Sequence, residues 1–143
     1  MIINSIYALL SSLGFGFLFN IRGRNLIFAS FGGALGWFFY LLFTNYSFSK
    51  VFALFMASIS VSVYSEIMAR VLKAPVTIFM ICAIIPLVPG AGMYYTMYEI
   101  TRGNLNASLS IGLETIISAG AIAVATVLVA STTKVITTLR KST

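Results

Sequence analysis

Five apolar stretches recur along the chain, at 2–19, 26–43, 51–69, 76–100 and 107–133, with short polar connections between them. Each approaches or exceeds the roughly 17–25 residues that an α-helix needs to cross about 30 Å of hydrocarbon. The pattern predicts an all-α integral membrane protein, a single transmembrane domain over 1–143 with about five spans. The fourth stretch is unlike the rest, because Pro86, Pro89, Gly90 and Gly92 fall inside a run too apolar for a surface loop. Proline has no N–H to give, so in a continuous helix the carbonyls of Cys82 and Ile85 would lose their partners. Ile85 and Val88, each preceding a proline, are steered away from α geometry, and the glycines permit turns that other residues resist. An unsatisfied backbone group in hydrocarbon costs several kcal/mol, so such a break persists only where protein or a water-filled cavity covers it.

The break begins about ten residues into its stretch, which at about 1.5 Å per residue is half the hydrocarbon thickness. A second half-helix starting near Pro89 would point its N-terminus, with free N–H groups and partial positive charge, toward the membrane centre, where it suits a carboxylate. Pro86, Pro89, Gly90, Ala91 and Gly92 are therefore candidate substrate-binding residues, with Tyr94 and Tyr95 as hydroxyl contacts. An aromatic belt that also includes Tyr98 explains the tyrosines equally well, and a kink filling a packing gap is the plainer reading of the break.

Polar residues inside the other stretches come next. Ser58, Ser62 and Ser65 share one helical face with Glu66 close by, and Arg70 lies one turn on from the acid. They read either as a packed face with a Glu66–Arg70 surface pair, or as a polar lining with Glu66 as an ion or proton site. In the last stretch Ser110, Glu114, Ser118, Ala121 and Ala125 recur every three or four residues, a small polar face carrying one carboxyl group. Glu114 is the leading candidate for proton or ion coupling, since an acid inside a span is expensive unless paired or hydrated. The Gly32 to Gly36 segment has small-xxx-small spacing, suited to close helix packing. Trp37, Phe38, Phe39 and Tyr40 suit an interface, and Glu99 with Arg102 suggests a solvated surface pair.

Composition narrows the function. The chain is 59% hydrophobic and 8% charged, with a mean hydropathy of +1.02. It has no histidine, and its acids are Glu66, Glu99 and Glu114 alone, which removes His-based triads, zinc sites and paired-aspartate chemistry. An enzyme reading has little to work with, and no cofactor is expected. The single Cys82 lies in an apolar run and excludes an internal disulfide. A net charge of +6 would normally raise nucleic acid, but here the basic residues sit between spans and report topology. With the N-terminus outside, Arg22, Arg24, Arg70, Lys73, Lys134, Arg140 and Lys141 are cytoplasmic, leaving Lys50 and Arg102 outside. The C-terminus is then inside. A four-span version, with the first stretch lying on the membrane, moves only the N-terminus.

The run Ile-Pro-Leu-Val-Pro-Gly-Ala-Gly over 85–92, followed by Tyr94, Tyr95 and Thr96, and Glu114-Thr115 opening a long last helix, resemble the threonine/serine exporter family. The resemblance covers nearly the whole chain and matches the family's small membrane domain, a separate subunit in split systems. It implies a bacterial inner-membrane exporter of small polar metabolites, threonine or serine in the fused type and succinate in a split type, driven by the proton motive force. It further implies a partner, a larger membrane subunit with a soluble N-terminal domain. Membrane lipid and a possible homo-oligomer complete the expected contacts. A scaffold subunit without a site and a passive pore component are the alternative functions.

Overall fold

The structure is a computed structural model that describes residues 1–141, with side chains through Leu139. The expectation for the side chains of Arg140 and Lys141 lies outside the described residues. Six α-helices and one short 3-10 turn make up the described chain: α1 Ile2–Leu18, α2 Arg24–Asn45, α3 Lys50–Val71, α4 Val76–Ile84, the 3-10 turn Ile85–Leu87, α5 Gly90–Thr101 and α6 Leu105–Lys141. Three of them, α2, α3 and α6, are long and apolar enough to cross a membrane, and α4 with α5 makes a fourth if the bent pair is one span. At 17 residues, α1 is a shorter apolar helix.

Four of these helices stop in the same way. The residues Asn20, Ser47, Lys73 and Gly103 take positive φ values of 57°, 62°, 50° and 75°. The next amide reaches back five residues in each case: Ile21 to Gly16, Phe48 to Phe43, Ala74 to Ala69 and Asn104 to Glu99, at 3.0 to 3.3 Å. This left-handed closure satisfies carbonyls that a helix end leaves free, and it turns the chain back sharply. The starts are less uniform. Ser49 caps α3 by accepting from the Phe52 amide at 3.3 Å, whereas α1, α2, α4 and α5 have no side-chain cap.

The α4–α5 joint follows neither pattern. Ile85 keeps right-handed helical angles although it precedes Pro86, contrary to the expectation from its sequence position. The chain meets Pro86 by tightening into the 3-10 turn, where the missing N–H sits at a helix start and costs little. The true break is one step later. Val88, preceding Pro89, is extended at φ −60° and ψ 129°, and the axis turns by 49° between the two halves.

Small residues bring the helices together. A Cβ on Gly36 would meet Val61 Cγ2 at 2.5 Å, one on Gly32 would meet Ala83 Cβ at 2.8 Å, and one on Gly33 would collide with Ser12. Helix α2 therefore packs closely against α1, α3 and α4 through one glycine-lined segment. The core beside it joins Leu54, Ala57, Val61, Ala83, Leu87 and Ile122. Across the α2–α3 seam the Tyr64 hydroxyl donates to the Phe28 carbonyl at 2.8 Å.

Helix α6, which has 37 residues and is about 55 Å long at about 1.5 Å per residue, packs against α3 and α5. It runs in the same direction as α3, meeting Lys50 through Glu114 at one end and Arg70 through Thr137 at the other. Among the described residues α5 packs on α6 alone and buries none of its own side chains. Ile21, Leu72, Ala74 and Val76 all pack against one buried cluster, that of Ala29, Ala69, Phe79 and Cys82, so the segments carrying Arg22, Arg24, Arg70 and Lys73 share one end of the bundle.

Candidate functional site

The break in the fourth stretch opens onto a cavity of about 180 Å³. Pro86, Leu87, Val88, Pro89, Gly90, Ala91 and Gly92 form one wall, and Trp37 and Tyr40 of α2 with Lys50 and Leu54 of α3 form the other. At about 30 Å³ per water, the space suits about six waters or one small metabolite.

The wall is rich in unmet donors. With proline at the cap position of α5, the Gly90 amide folds back to Val88 at 2.8 Å and the Met93 amide reaches Pro89 at 3.3 Å. The amides of Ala91 and Gly92 have no acceptor among the described residues. Helix N-termini leave such N–H groups free by construction, and an anion satisfies them best. The indole Nε1 of Trp37 is also buried without a partner. Lys50 adds the cation, and its Nζ bonds Glu114 Oε1 of α6 at 2.8 Å. Both side chains are about half exposed, 53% and 55%, so the contact itself stabilises the fold little.

A carboxylate entering this space would find two backbone amides, an indole N–H and an ammonium. A larger cavity, about 600 Å³ between α1, α2 and α3, offers it no free amide and no cation: its lining is mostly apolar, including Ile6, Leu9, Phe28 and Phe31, and the hydroxyls of Ser5 and Tyr64 in it already donate to carbonyls. Against known proteins, the family described as Threonine/Serine exporter, ThrE, matches residues 4–132. The chain belongs to the threonine/serine exporter family. It is therefore an exporter-type transporter and, with its membrane-length helices, a multi-pass membrane protein. Searches of curated proteins and of solved structures gave no match.

Within this family member, the candidate residues do not gather in one place. Pro86, Pro89, Gly90, Ala91 and Gly92 line the cavity together. Glu114 stands at its edge, through Lys50. Tyr94 and Tyr95 do not line it; they are exposed and their rings meet edge to face at 5.3 Å, with Tyr98 stacked on Tyr94 at 6.2 Å.

Ser58, Ser62 and Ser65 of α3 are fully buried. Ser62 donates to the Ser58 carbonyl at 2.8 Å, while the hydroxyls of Ser58 and Ser65 have no partner. Glu66 lies at the opposite end of α3 from Lys50, 3.8 Å from Arg70, beside a cavity of about 140 Å³ that Thr133 and Ile136 also line. On α6 the buried face runs through Ser108, Thr115, Ser118, Ile122 and Ala125. Ser118 belongs to it with an unpartnered hydroxyl, whereas Ser110 is exposed. The structure gives no ion pair between Glu99 and Arg102 among the described residues: the Arg102 guanidinium lies 5.3 Å from the Tyr98 ring centre instead. Stacking on the ring keeps the charge hydrated, and an exposed ion pair gains little over that.

Lys50, Trp37 and Tyr40 are the residues that sequence reasoning missed. Lys50 reads as a charge in a loop, and its partner is 64 positions away. The one signal was negative: Glu114 in a span needs a cation, and α6 itself offers none before Lys134.

Proposed function

We propose that this chain is the small membrane subunit of a two-chain exporter in the bacterial inner membrane, and that the α4–α5 break binds the carboxylate of a small polar metabolite. Amino acids such as threonine or serine and dicarboxylates such as succinate both fit the chemistry. The observation that carries the reading is the pair of acceptor-free amides at Ala91 and Gly92, facing a small cavity that also holds Lys50 and an unpartnered indole N–H. At depth in a membrane, donors without acceptors are costly, and a bound anion removes the cost.

Depth supports the same reading. Val76–Leu87 and Gly90–Thr101 are the two halves of the bent pair, and each has twelve residues, which supports a break near the middle of the span. The gathering of Arg22, Arg24, Arg70 and Lys73 at one end supports that end as cytoplasmic, with the N-terminus outside. Glu114, and secondarily Glu66, would exchange protons as access alternates under the proton motive force. A larger membrane subunit is the proposed cover for α5, which exposes Met93, Tyr94, Tyr95, Met97 and Tyr98 and packs on a single helix.

The test is metabolite efflux from cells carrying Pro89→Ala or Glu114→Gln, at matched membrane abundance. The reading expects efflux to fall at least about tenfold in each, through loss of the turn at the break in the first and of proton exchange in the second. Unchanged efflux in both removes it.

A further inference from the structure

We propose that Lys50 is the cation of the cavity at the helix break, and that Glu114 holds it as a tethered counter-ion which an incoming carboxylate replaces. The proposal rests on the reading of the break as a carboxylate site and names the group that supplies its charge.

The charges around the cavity are few. Lys50 is its only charged lining residue among the described residues. From α2 come Trp37 and Tyr40, which are neutral, and from α4 and the 3-10 turn no charged residue at all. On α5 the acid Glu99 lies outside the lining, and on α6 the acid in reach is Glu114, whose Oε1 is 2.8 Å from Lys50 Nζ. An ammonium has three donors, and the bond to Glu114 uses one. The lining thus offers several free donors around one small space, the Lys50 ammonium, the Trp37 indole and the Ala91 and Gly92 amides, beside the carbonyls of Pro86 and Leu87, which receive no N–H among the described residues.

Glu114 is suited to being displaced. Its side chain is 55% exposed, it comes from a different helix, and it is not itself among the residues lining the cavity. A carboxylate inside the cavity would bond Lys50 together with the neutral donors, which Glu114 does not reach, and would repel Glu114 as a like charge. Occupancy of the cavity and the Lys50–Glu114 bond therefore oppose each other, and by linkage the opposition is reciprocal. Substrate entry is felt on α6, through a helix that also contacts Arg70 at the far end of α3. Lys50 acts here as a binding residue and Glu114 as a competitor.

Trp37 is the chain's single tryptophan and lines the cavity, so intrinsic fluorescence reports on this space. The full chain in lipid nanodiscs is titrated with succinate and with L-threonine, and with succinamide and L-threoninamide as uncharged-head controls. The proposal expects a saturable change with at least one carboxylate and none with its amide. Lys50→Met weakens the response at least about tenfold, Lys50→Arg retains it, and Glu114→Gln strengthens it about tenfold, the size of one charge-assisted hydrogen bond.

A wild-type response that persists with equal affinity in Lys50→Met overturns the role of Lys50 and leaves the break as a carboxylate site. Absence of any saturable response in both wild type and Glu114→Gln overturns the carboxylate site itself. Binding that is unchanged or weaker in Glu114→Gln overturns the competition, whatever Lys50→Met does.

Discussion

Glycine serves opposite ends at the α2 seam and at the α4–α5 joint. Along α2, a side chain on Gly32, Gly33 or Gly36 would run into Ala83, Ser12 or Val61, so absence of a Cβ is what lets the helices touch. At Gly90 nothing lies within 4 Å of where a Cβ would stand, and its φ is not in the left-handed range. Neither packing nor backbone angle demands glycine there. What the position keeps is open space, beside amides that lack acceptors. Gly92, two residues on, reverts to the first use, because its Cβ would collide with Thr115 of α6. The lesson is that the signature run mixes a packing glycine with one that faces open space, and only the neighbours tell them apart.

The sharpest way to break this comparison is Gly36→Val. It should cost roughly 3 kcal/mol or more through overpacking against Val61 and Leu87, seen as loss of monodisperse protein after detergent extraction. A variant as stable as the wild type would refute the account of the seam. Next in size, Gly92→Ala should cost about 1 kcal/mol and loosen α5 from α6. Hydrogen exchange should then rise in α5 while α2 keeps its protection; equal rises in both would show that the joint and the seam are one packing unit.

Gly90→Ala should leave stability within about 0.5 kcal/mol, as for a substitution into free space, yet reduce efflux several-fold by narrowing the cavity. A loss of folded protein would place Gly90 with the packing glycines instead. Smallest of all, Ser58→Ala and Ser65→Ala should each shift stability by no more than about 1 kcal/mol, toward greater stability, because the hydroxyls removed are buried and unpartnered. A thermal melt in the same detergent measures this, and a clear loss would mean that those hydroxyls have a partner in the membrane.

The fold and the site were legible to different depths. Helices in hydrocarbon announce themselves by length and apolarity alone, which is why α2, α3 and α6 follow from composition without any periodicity. The break was legible because proline removes a donor wherever it stands. Its position within the run was not: whether Pro86 or Pro89 interrupts the helix depends on whether the preceding turn tightens to 3-10, a choice made by packing of Leu87 into the core. Helix ends at Ser47 and Lys73 were equally hidden, since neither residue favours left-handed angles as Asn20 or Gly103 does.

The site was half legible. Its backbone wall lies in one sequence run, whereas Lys50 and Trp37 arrive from helices that only the fold brings near. On α6, counting from Ser110 and Glu114 put the buried face slightly out of register. The observed face is that of Ser108, Thr115 and Ser118, because Gly92 of α5 seats on Thr115 and so fixes the rotation of the helix.

The most direct test of the central claim uses the free space at Gly90. In a Cys82→Ser background, which removes the chain's one cysteine, Gly90→Cys is exposed in sealed vesicles to a negatively charged thiosulfonate reagent. The account predicts labelling from water at a site inside the membrane-embedded bundle, slowed at least severalfold by an excess of a bound carboxylate such as succinate or L-threonine. A cysteine there that stays unlabelled, or that labels at the same rate with and without carboxylate, contradicts it.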